Sequence, residues 1–431
     1  MNLNANDKSF VEIINVLREP IALGHSAEGY LESVETKPNI YTISMSGWVR
    51  GRKDASVDIE IICDNESLVR MPANLERPDM AGFYPLISSA KHCGFHIMIG
   101  TFGLPLRFEL SVQAVFSDGT HAKLGTIQGS HSPLKADFQP RLNPLAVTSI
   151  ARTGTTLLMK YLASHPQIAM HRVYPFENRS AAYWMHMLKI LTTPANHHQS
   201  AHCDTFYQNA HWVGHHPYYF DGFLHEYFGN TYTKKLAGFC MRSIEEYYAN
   251  LEGINGKIYF AEKLANETVQ QSFWELYPGG REIILTRDFR DMICSIFSFN
   301  KKRGVVAFGR QRVSTDEDFV YLIAKWARLL LHSWESRKQQ AFLLRYEDLI
   351  LREEESLRAL LQYLNIDASD GTVAKMMGET AQGSSALSGH KTTRSPKESI
   401  GRWKRDLSPE LQILAREVFA DILEAFGYTD I

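Results

Sequence analysis

Three features are scarce in this sequence, and each scarcity excludes a class of protein. Only five cysteines occur among 431 residues, without paired spacing, which argues against a disulfide framework and favours a reducing compartment. No stretch approaches 18 uninterrupted apolar residues, and the first residues lack the basic and apolar parts of a signal peptide. The formal net charge is −2, so the chain as a whole has no electrostatic preference for nucleic acid or membranes. We therefore expect a cytoplasmic protein without a membrane span, in which any anion site is built locally.

Length and composition predict two globular domains, since 431 residues exceed one ordinary core and 44% of them are apolar. Between about Ile40 and Ile127, short segments alternate apolar with polar residues and end at turn signals such as Ser117-Asp118-Gly119. This pattern predicts a small all-β domain, a β-sandwich, over residues 1–138. A polar stretch with two prolines, residues 129–140, is typical of a linker.

From residue 139 onwards, apolar strand-like runs alternate with helical patterns. Such alternation predicts an α/β domain over residues 139–431, a three-layer α/β/α sandwich with a parallel sheet. The segment from Met170 to about Asn255 is rich in His, Tyr, Phe and Asn. We expect it to form a helical or irregular insertion over the carboxyl edge of the sheet, where substrates bind in such folds. The expected strands contain Leu145–Val147, Ile258–Phe260, Ile283–Leu285 and Phe342–Leu344, and the expected helices span Thr155–Ser164, Thr268–Leu276 and Asp316–Lys338.

A buried strand, Pro144–Ile150, leads through a tight turn into a helical run that begins near Leu157. Such a turn presents backbone N–H donors at a helix amino terminus, and these donors and the helix dipole favour a bound phosphate. Glycine lets the backbone approach the anion, threonine hydroxyls add donors and arginine adds charge. An N-capped helix is the alternative interpretation. A Walker lysine is absent, because the pattern Gly-x-x-x-x-Gly-Lys-[Ser/Thr] does not occur. The turn consists of Ala151, Arg152, Thr153, Gly154, Thr155 and Thr156.

The pattern Ser-x-x-Arg-Thr-Gly-Thr-Thr-Leu-Leu that begins at Ser149, with Leu162-Ala163-Ser164-His165-Pro166 after it, resembles the 5′-phosphosulfate loop of sulfotransferases. These enzymes use 3′-phosphoadenosine 5′-phosphosulfate (PAPS) as sulfuryl donor and release adenosine 3′,5′-bisphosphate (PAP). The resemblance implies a P-loop-like sulfotransferase fold, and it implies donor binding by residues 152–156. Many members have lysine where this chain has Arg152. Arginine can brace the bridging oxygen electrostatically but does not readily donate a proton to it.

A second segment, Arg281–Ser295, consists of a strand that ends in arginine and a helical turn with a serine eight residues later. It resembles the 3′-phosphate site of the same family, which implies that Arg287 and Ser295 bind the 3′-phosphate. An arginine offers a two-pronged donor and a serine a hydroxyl. Alternatively, Arg287 pairs with Asp288 or Asp291, but the joint occurrence with the first loop favours the phosphate site.

A late segment, Thr393–Trp403, resembles the family loop that closes over the nucleotide. The resemblance implies nucleotide contacts by Arg394, Gly401, Arg402 and Trp403. Lys397 adds further positive charge, and the tryptophan either stacks on the ligand or packs beneath the loop. A solvated basic loop ahead of a terminal helix is the alternative. The segment Phe342–Leu349 also resembles a family element, and we interpret it as structural.

Sulfuryl transfer is an in-line displacement, so the acceptor must lose a proton and the new charge on the leaving phosphate must be stabilised. The resemblance implies Glu177 as the base, because several sulfotransferases place a carboxylate shortly after the first loop. His171 is the rival, since a near-neutral pKa suits a general base. A salt bridge from Glu177 to Arg179 or Arg172 is the structural alternative. Lys263, in a Glu-Lys pair that resembles one found in several branches, would steer the acceptor or the sulfonate.

Two further questions concern metals and acceptors. Histidines at 197, 198, 202, 211, 215, 216 and 225 show no metal-ligand spacing, and the family requires no metal, so we expect none. The all-β region resembles a β-sandwich module sometimes fused to bacterial glycan-modifying enzymes, at Gly47-Trp48, Arg77-Pro78-Asp79, Tyr84-Pro85, Gly94-Phe95 and Phe116-Ser117-Asp118-Gly119. Such a module would bind a saccharide or another chain, or merely pack on the catalytic domain. The resemblance favours a saccharide among hydroxyl or amine acceptors. The alternatives are a nucleotide-dependent kinase, which should show a Walker lysine and a Mg²⁺-binding carboxylate, and a glycan-binding protein with a non-catalytic nucleotide site.

Overall fold

The computed structural model describes residues 10–21, 27–36, 40–51, 56–64, 66–85, 87–193, 230–264, 269–381 and 392–428. The chain divides into two compact units. The first contains residues 1–139, 183–242 and 271–276, and the second contains residues 140–182, 243–270 and 277–431. Segments from the expected catalytic region are therefore grouped with the amino-terminal strands. The single domain boundary after residue 138 stays a prediction.

Strands and helices are numbered here in chain order. The strands are β1 (Val11–Arg18), β2 (Ala27–Thr36), β3 (Thr42–Gly51), β4 (Val57–Cys63), β5 (Glu66–Pro72), β6 (Leu75–Glu76), β7 (His92–Gly100), β8 (Arg107–Phe116), β9 (His121–His131), β10 (Asn143–Thr148), β11 (Ile168–Ala169), β12 (Tyr259–Leu264), β13 (Arg281–Thr286) and β14 (Ala341–Arg345). The helices are α1 (Pro78–Phe83), α2 (Thr155–Ala163), α3 (Ser180–Leu191), α4 (Asn230–Glu252), α5 (Val269–Leu276), α6 (Phe289–Arg303), α7 (Asp316–Arg337), α8 (Tyr346–Leu351), α9 (Glu353–Leu364), α10 (Asp370–Ala381), α11 (Trp403–Asp406) and α12 (Pro409–Ala425).

The first unit is built on two antiparallel sheets, in the strand orders β1-β9-β8-β4-β5 and β2-β3-β7-β6. In β4 every second side chain is buried, as expected for a strand with one face on a core. Ile43 and Ile97 of one sheet and Ile59 and Leu110 of the other belong to the same apolar core. The expected all-β amino-terminal region is therefore confirmed as an antiparallel sheet domain.

The second unit contains a five-stranded parallel sheet in the order β11-β12-β10-β13-β14. Side chains of its central strands alternate between two cores, because successive residues of a strand face opposite sides. Ile283 and Leu285 lie in the core formed with α2, α9 and α10, and Ile284 lies in the core formed with α6, α7 and α12. Helices thus cover both faces, which confirms the α/β/α class expected from the alternation of strands and helices.

Local sequence signals explain the helix positions. Three expected helices, Thr155–Ser164, Thr268–Leu276 and Asp316–Lys338, are present as α2, α5 and α7, with ends that differ by one residue. Thr315 caps α7 through a hydrogen bond from the backbone N–H of Asp318, and three acidic residues follow in the first turn. Residues 194–229, which contain the seven histidines considered for a metal, lie outside the described residues. No helix of the described ranges combines the length and the apolar character needed to cross a lipid bilayer.

Candidate functional site

The connection between β10 and α2 forms a tight left-handed turn. The strand ends at Thr148, two residues earlier than the sequence predicts, and the helix begins at Thr155. Arg152 and Gly154 have φ angles of 65° and 95°, in the left-handed region that non-glycine residues seldom adopt. A Cβ at Gly154 would lie 2.5 Å from the Tyr346 ring, so only glycine fits here. The turn therefore leads the backbone into the amino terminus of α2, where its N–H groups can bind an anion.

A cavity of about 710 Å³ lies at this turn, entirely within the second unit. Eight of the residues expected at the site line it: Arg152, Gly154, Thr155, Thr156, Glu177, Lys263, Arg287 and Ser295. The others are absent from its described lining: Thr153, His171, Arg394, Gly401, Arg402 and Trp403. Thr153 is buried, and its hydroxyl donates to the carbonyl of Ile150 at 2.9 Å. This threonine therefore braces the turn from behind.

Arg152 is held by aromatic rings. Its guanidinium carbon lies 4.7 Å from the centroid of the Phe299 ring and 5.9 Å from that of Phe308, distances at which a cation is attracted to a ring face. Its Nε donates to Oγ of Ser295 at 3.4 Å. Burial, and secondly the charge of Arg287, lower the pKa of Arg152 to about 10. The group still carries its charge at neutral pH, in a place where water screens it little.

Arg287 links the first loop to the late loop. Its two terminal nitrogens donate to the carbonyls of Arg152, at 3.2 Å, and of Ser399, at 2.7 Å, and its guanidinium lies over the Tyr346 ring. Asp288, which was considered as an alternative partner of Arg287, instead forms a salt bridge with Arg290. The buried Nε of Arg287 has no hydrogen-bond partner in the described part of the chain. That donor can serve a ligand oxygen, and a buried donor without a partner is costly.

Lys263 and Glu262 lie on opposite sides of β12, as alternation along a strand requires. Nζ of Lys263 donates to the carbonyl of Pro175 at 2.7 Å, to Oγ1 of Thr156 at 3.1 Å and to Glu177 at 3.4 Å. Burial lowers the pKa of Lys263, and the charge of Glu177 opposes this shift. Glu262 is fully buried and accepts the N–H of Ala181 at 2.8 Å, at the start of α3. Only the lysine of this Glu-Lys pair therefore reaches the cavity.

The two candidate bases lie in different surroundings. The Glu177 side chain is 53% exposed, lines the cavity and pairs with Lys263. The salt bridge to Arg172 considered as an alternative is not present, because Arg172 pairs with Glu252. His171 is half-buried and outside the described lining, and its Nδ1 has no hydrogen-bond partner among the described residues. Of the two, only Glu177 is positioned to meet a molecule in the cavity.

The late loop, which in the structure is residues 392–399, contributes Thr392, Thr393, Ser395, Pro396 and Ser399 to the cavity lining. The residues behind it are anchored by Asp291, whose carboxylate accepts the N–H of Gly401 at 2.6 Å and that of Trp403 at 2.9 Å. Trp403 is 1% exposed and packs under the guanidinium of Arg290. Direct nucleotide contacts by Gly401, Arg402 and Trp403 stay a prediction, and the observed contacts of Trp403 are packing contacts.

A family model described as "Sulfotransferase family" matches residues 144–370, more than half of the chain. The chain belongs to the sulfotransferase family. The match begins in β10 and includes the turn, Glu177, Lys263, Arg287 and Ser295, whereas the late loop lies beyond its end. It thus contains the motifs that resemble the 5′-phosphosulfate and 3′-phosphate sites of the family.

Solved sulfotransferase structures are similar to this sulfotransferase at low sequence identity. Mouse sulfotransferase SULT7A1 complexed with PAP is 14% identical, over 66% of this chain and 85% of that chain, with a TM-score of 0.38. The sulfotransferase domain from the curacin biosynthetic pathway is 15% identical, over 66% and 98%, with a TM-score of 0.39. Sulfotransferase STF9 from Mycobacterium avium is 15% identical, over 68% and 78%, with a TM-score of 0.34. Among curated proteins, none matches the sequence.

Several residues at the site of this sulfotransferase were not expected from the sequence. Tyr346 lies in a segment interpreted as structural, yet it lines the cavity and packs on Gly154. Phe308 also lines the cavity, with a φ of 58° beside Gly309. Asp291 was considered only as a partner for Arg287. The Phe-Gly pair was a possible signal for a strained turn, whereas nothing in the local sequence indicates the contacts of Tyr346 and Asp291.

Proposed function

We propose that this sulfotransferase transfers a sulfuryl group from PAPS to a hydroxyl or amine acceptor by in-line displacement. The observation that carries the proposal is the convergence of Arg152, Lys263 and Arg287 on one cavity at the amino terminus of α2. Glu177 is the only carboxylate among the described lining residues. A cavity with excess positive charge and free helix N–H groups favours a polyanionic ligand.

The cavity has the size and the chemistry of a site for a small anionic donor. Its volume of about 710 Å³ lies within the range of roughly 300–1,000 Å³ typical of small-molecule sites. We assign the 5′-phosphosulfate to the backbone of residues 152–156, with the hydroxyls of Thr155 and Thr156 as further donors. We assign the 3′-phosphate to Arg287 and Ser295, because the buried Nε of Arg287 has no other described partner.

In the proposed reaction the acceptor oxygen or nitrogen forms a bond to sulfur as the bond from sulfur to the bridging oxygen breaks. Glu177 takes the proton of the acceptor. Arg152 and Lys263 stabilise the charge that develops on the departing PAP, since both are fixed cations in a partly buried site. Because the pKa of Arg152 remains far above neutrality, its role is electrostatic and it does not act as a proton donor.

We propose a carbohydrate as the acceptor class. The fused antiparallel sheet domain supports this by analogy with glycan-modifying enzymes.

The described cysteines, Cys63, Cys93, Cys240 and Cys294, are buried thiols, and their scattered spacing favours a reducing, cytoplasmic compartment. A kinase is disfavoured, because the sequence has no Walker lysine and the carboxylate of the described cavity lining, Glu177, is paired with Lys263.

Calorimetric titration of the full chain with PAP and with ATP tests the donor assignment. Binding of PAP with micromolar or tighter affinity is expected, whereas binding of ATP without binding of PAP would overturn the proposal. Incubation with ³⁵S-labelled PAPS and pools of saccharides, phenols and amines then identifies the acceptor. Label in phenols or amines alone would remove the carbohydrate assignment and leave the donor assignment intact.

A further inference from the structure

Arg402 is a buried arginine behind the late loop, 5% exposed. Each of its three guanidinium nitrogens donates a hydrogen bond to a different residue. Nε donates to Asp406 at 2.6 Å, Nη1 to Oγ1 of Thr392 at 3.0 Å and Nη2 to Oγ of Ser298 at 2.8 Å. These contacts join α6, the start of the late loop and α11 through one side chain.

Two of the partners of Arg402, Thr392 and Ser298, line a second cavity next to the donor cavity. Thr392 and Thr393 line both the donor cavity and the second cavity, of about 430 Å³. Ser298 lines the second cavity, together with Lys302 and Arg394. Ser295, Ser298 and Lys302 are three and four residues apart in α6 and therefore share one helix face. Arg402 thus holds the late loop against the helix face that carries Ser295.

The backbone on both sides of Arg402 is also fixed. Asp291 accepts the N–H groups of Gly401 and Trp403, the residues before and after it. The guanidinium could reach the donor cavity only by giving up three hydrogen bonds, and the hydrogen bonds of a buried charged group are costly to lose. This geometry favours a role of Arg402 through its partners over a direct contact with the ligand.

The late loop is consequently held at two points. Ser399, near its end, accepts from Arg287 at 2.7 Å, and its hydroxyl lies 3.2 Å from that of Tyr346. Thr392, at its start, accepts from Arg402. The first point is the arginine proposed to bind the 3′-phosphate, and the second lies beside the helix face of Ser295. Between these points, Thr393, Ser395 and Pro396 line the same cavity as Arg287 and Ser295.

We propose that Arg402 is a positioning residue that sets the preference for a 3′-phosphorylated nucleotide. It does so by locking Thr392 and Ser298 at the junction of the two cavities, so that the late loop closes against Arg287 and Ser295. This inference rests on the proposed function, since it requires a nucleotide whose 3′-phosphate lies at these residues. It separates the function of Arg402 from the direct contact implied by the family resemblance.

The test compares the dissociation constants of PAP and AMP, which lacks the 3′-phosphate, for the full chain and its variants. Arg402→Gln should weaken PAP binding by about tenfold, the equivalent of one lost hydrogen bond of this kind. AMP binding should change by less than about twofold, because AMP makes no use of the 3′ position. Arg402→Lys keeps the charge but cannot reach all three partners. This more conservative variant should also lose the preference for PAP over AMP.

Arg405→Gln is the matched control. Arg405 pairs with the same carboxylate, Asp406, at 3.0 Å but is 71% exposed and away from both described cavity linings. Its loss should leave both affinities unchanged. Thr392→Val should reduce the preference for PAP in the wild-type background and add nothing in the Arg402→Gln background, because coupled residues are not additive.

The outcomes separate the two levels of inference. A wild-type chain that binds PAP no more tightly than AMP would overturn the proposed function, and the positioning inference with it. A wild-type chain that prefers PAP, with the preference intact in both Arg402 variants, would overturn the positioning inference alone. Equal losses of PAP and AMP affinity, or additive effects of the Arg402 and Thr392 substitutions, would also overturn it, since both results indicate a general structural role.

Discussion

Nζ of Lys263 lies 3.4 Å from Oε1 of Glu177 and 3.1 Å from Oγ1 of Thr156. A single cation therefore contacts both the carboxylate proposed as base and the helix start proposed to hold the donor. The Lys263 side chain can therefore contact both the acceptor and the donor of the proposed reaction. This contact also explains why Glu177 does not need the arginines next to it in sequence as ion-pair partners.

Glu177→Gln should lower turnover by about 100-fold or more, the usual contribution of a general base, and should leave PAP affinity unchanged. The amide keeps the size of the side chain but cannot take the acceptor's proton. Initial rates with ³⁵S-labelled PAPS and calorimetry with PAP measure the two quantities. Glu354→Gln, an exposed glutamate of α9 paired with Arg358, is the control. Undiminished turnover in Glu177→Gln would remove Glu177 as the base.

Arg152→Ala and Arg287→Ala should each weaken PAP binding by about 10- to 100-fold, since each removes charged hydrogen bonds of roughly 1.5–3 kcal/mol. The control is Arg328→Ala, an arginine on α7 that pairs with Asp421 at the surface. Titration calorimetry with PAP measures the change. If the affinity of either cavity variant matches that of the control, that arginine does not bind the nucleotide.

Gly154→Ala should lower the thermal midpoint of unfolding and PAP affinity together. The methyl group would meet the Tyr346 ring at 2.5 Å, at a φ of 95°, and such a conformation costs on the order of 1–3 kcal/mol for other residues. Gly371→Ala is the matched control, because the exposed Gly371 lies in α10 and a Cβ added there would meet no atom within 4 Å. There alanine should stabilise the helix slightly. A Gly154→Ala chain as stable as wild type would show that the turn is not constrained by Tyr346.

Stability should fall as the pH rises through the window set by Glu262. Burial raises the pKa of this carboxyl from 4.5 to about 7, so the folded chain binds more protons than the unfolded chain between these values. The shift corresponds to roughly 3 kcal/mol. Glu262→Gln should therefore reduce the difference in thermal midpoint between about pH 5 and about pH 7.5. A pH dependence identical to that of wild type would show that folding does not raise the pKa of Glu262.

Much of the fold was predictable because it depends on local patterns. The apolar run at Leu145–Val147 and the helical spacing after Thr155 each specify one element, and their order specifies a strand, a turn and a helix. The three helices expected from the sequence begin and end within one residue of the observed helices. Eight expected site residues also meet at one cavity, since they lie at or after the carboxyl ends of neighbouring parallel strands.

Contacts between residues distant in sequence were not predictable in the same way. Glu275 accepts the N–H groups of Gly103 at 3.0 Å and of Leu134 at 2.7 Å, so part of α5 belongs with the amino-terminal strands. Tyr346 packs on Gly154, and Arg402 binds Thr392 and Ser298. Neither partner of these pairs has a local signal for the other.

The sequence by itself determined the order of the elements, the tight turn before α2 and the family, because the spacing of apolar residues and the motif residues are local properties. The tertiary structure decided which polar groups reach the cavity. It turned Lys263 towards the cavity and Glu262 to the opposite, buried side of β12, placed Glu177 at the lining and His171 away from it, and buried Arg402 behind the loop. Packing between distant segments sets these directions, since a buried charge must find partners wherever the fold brings them.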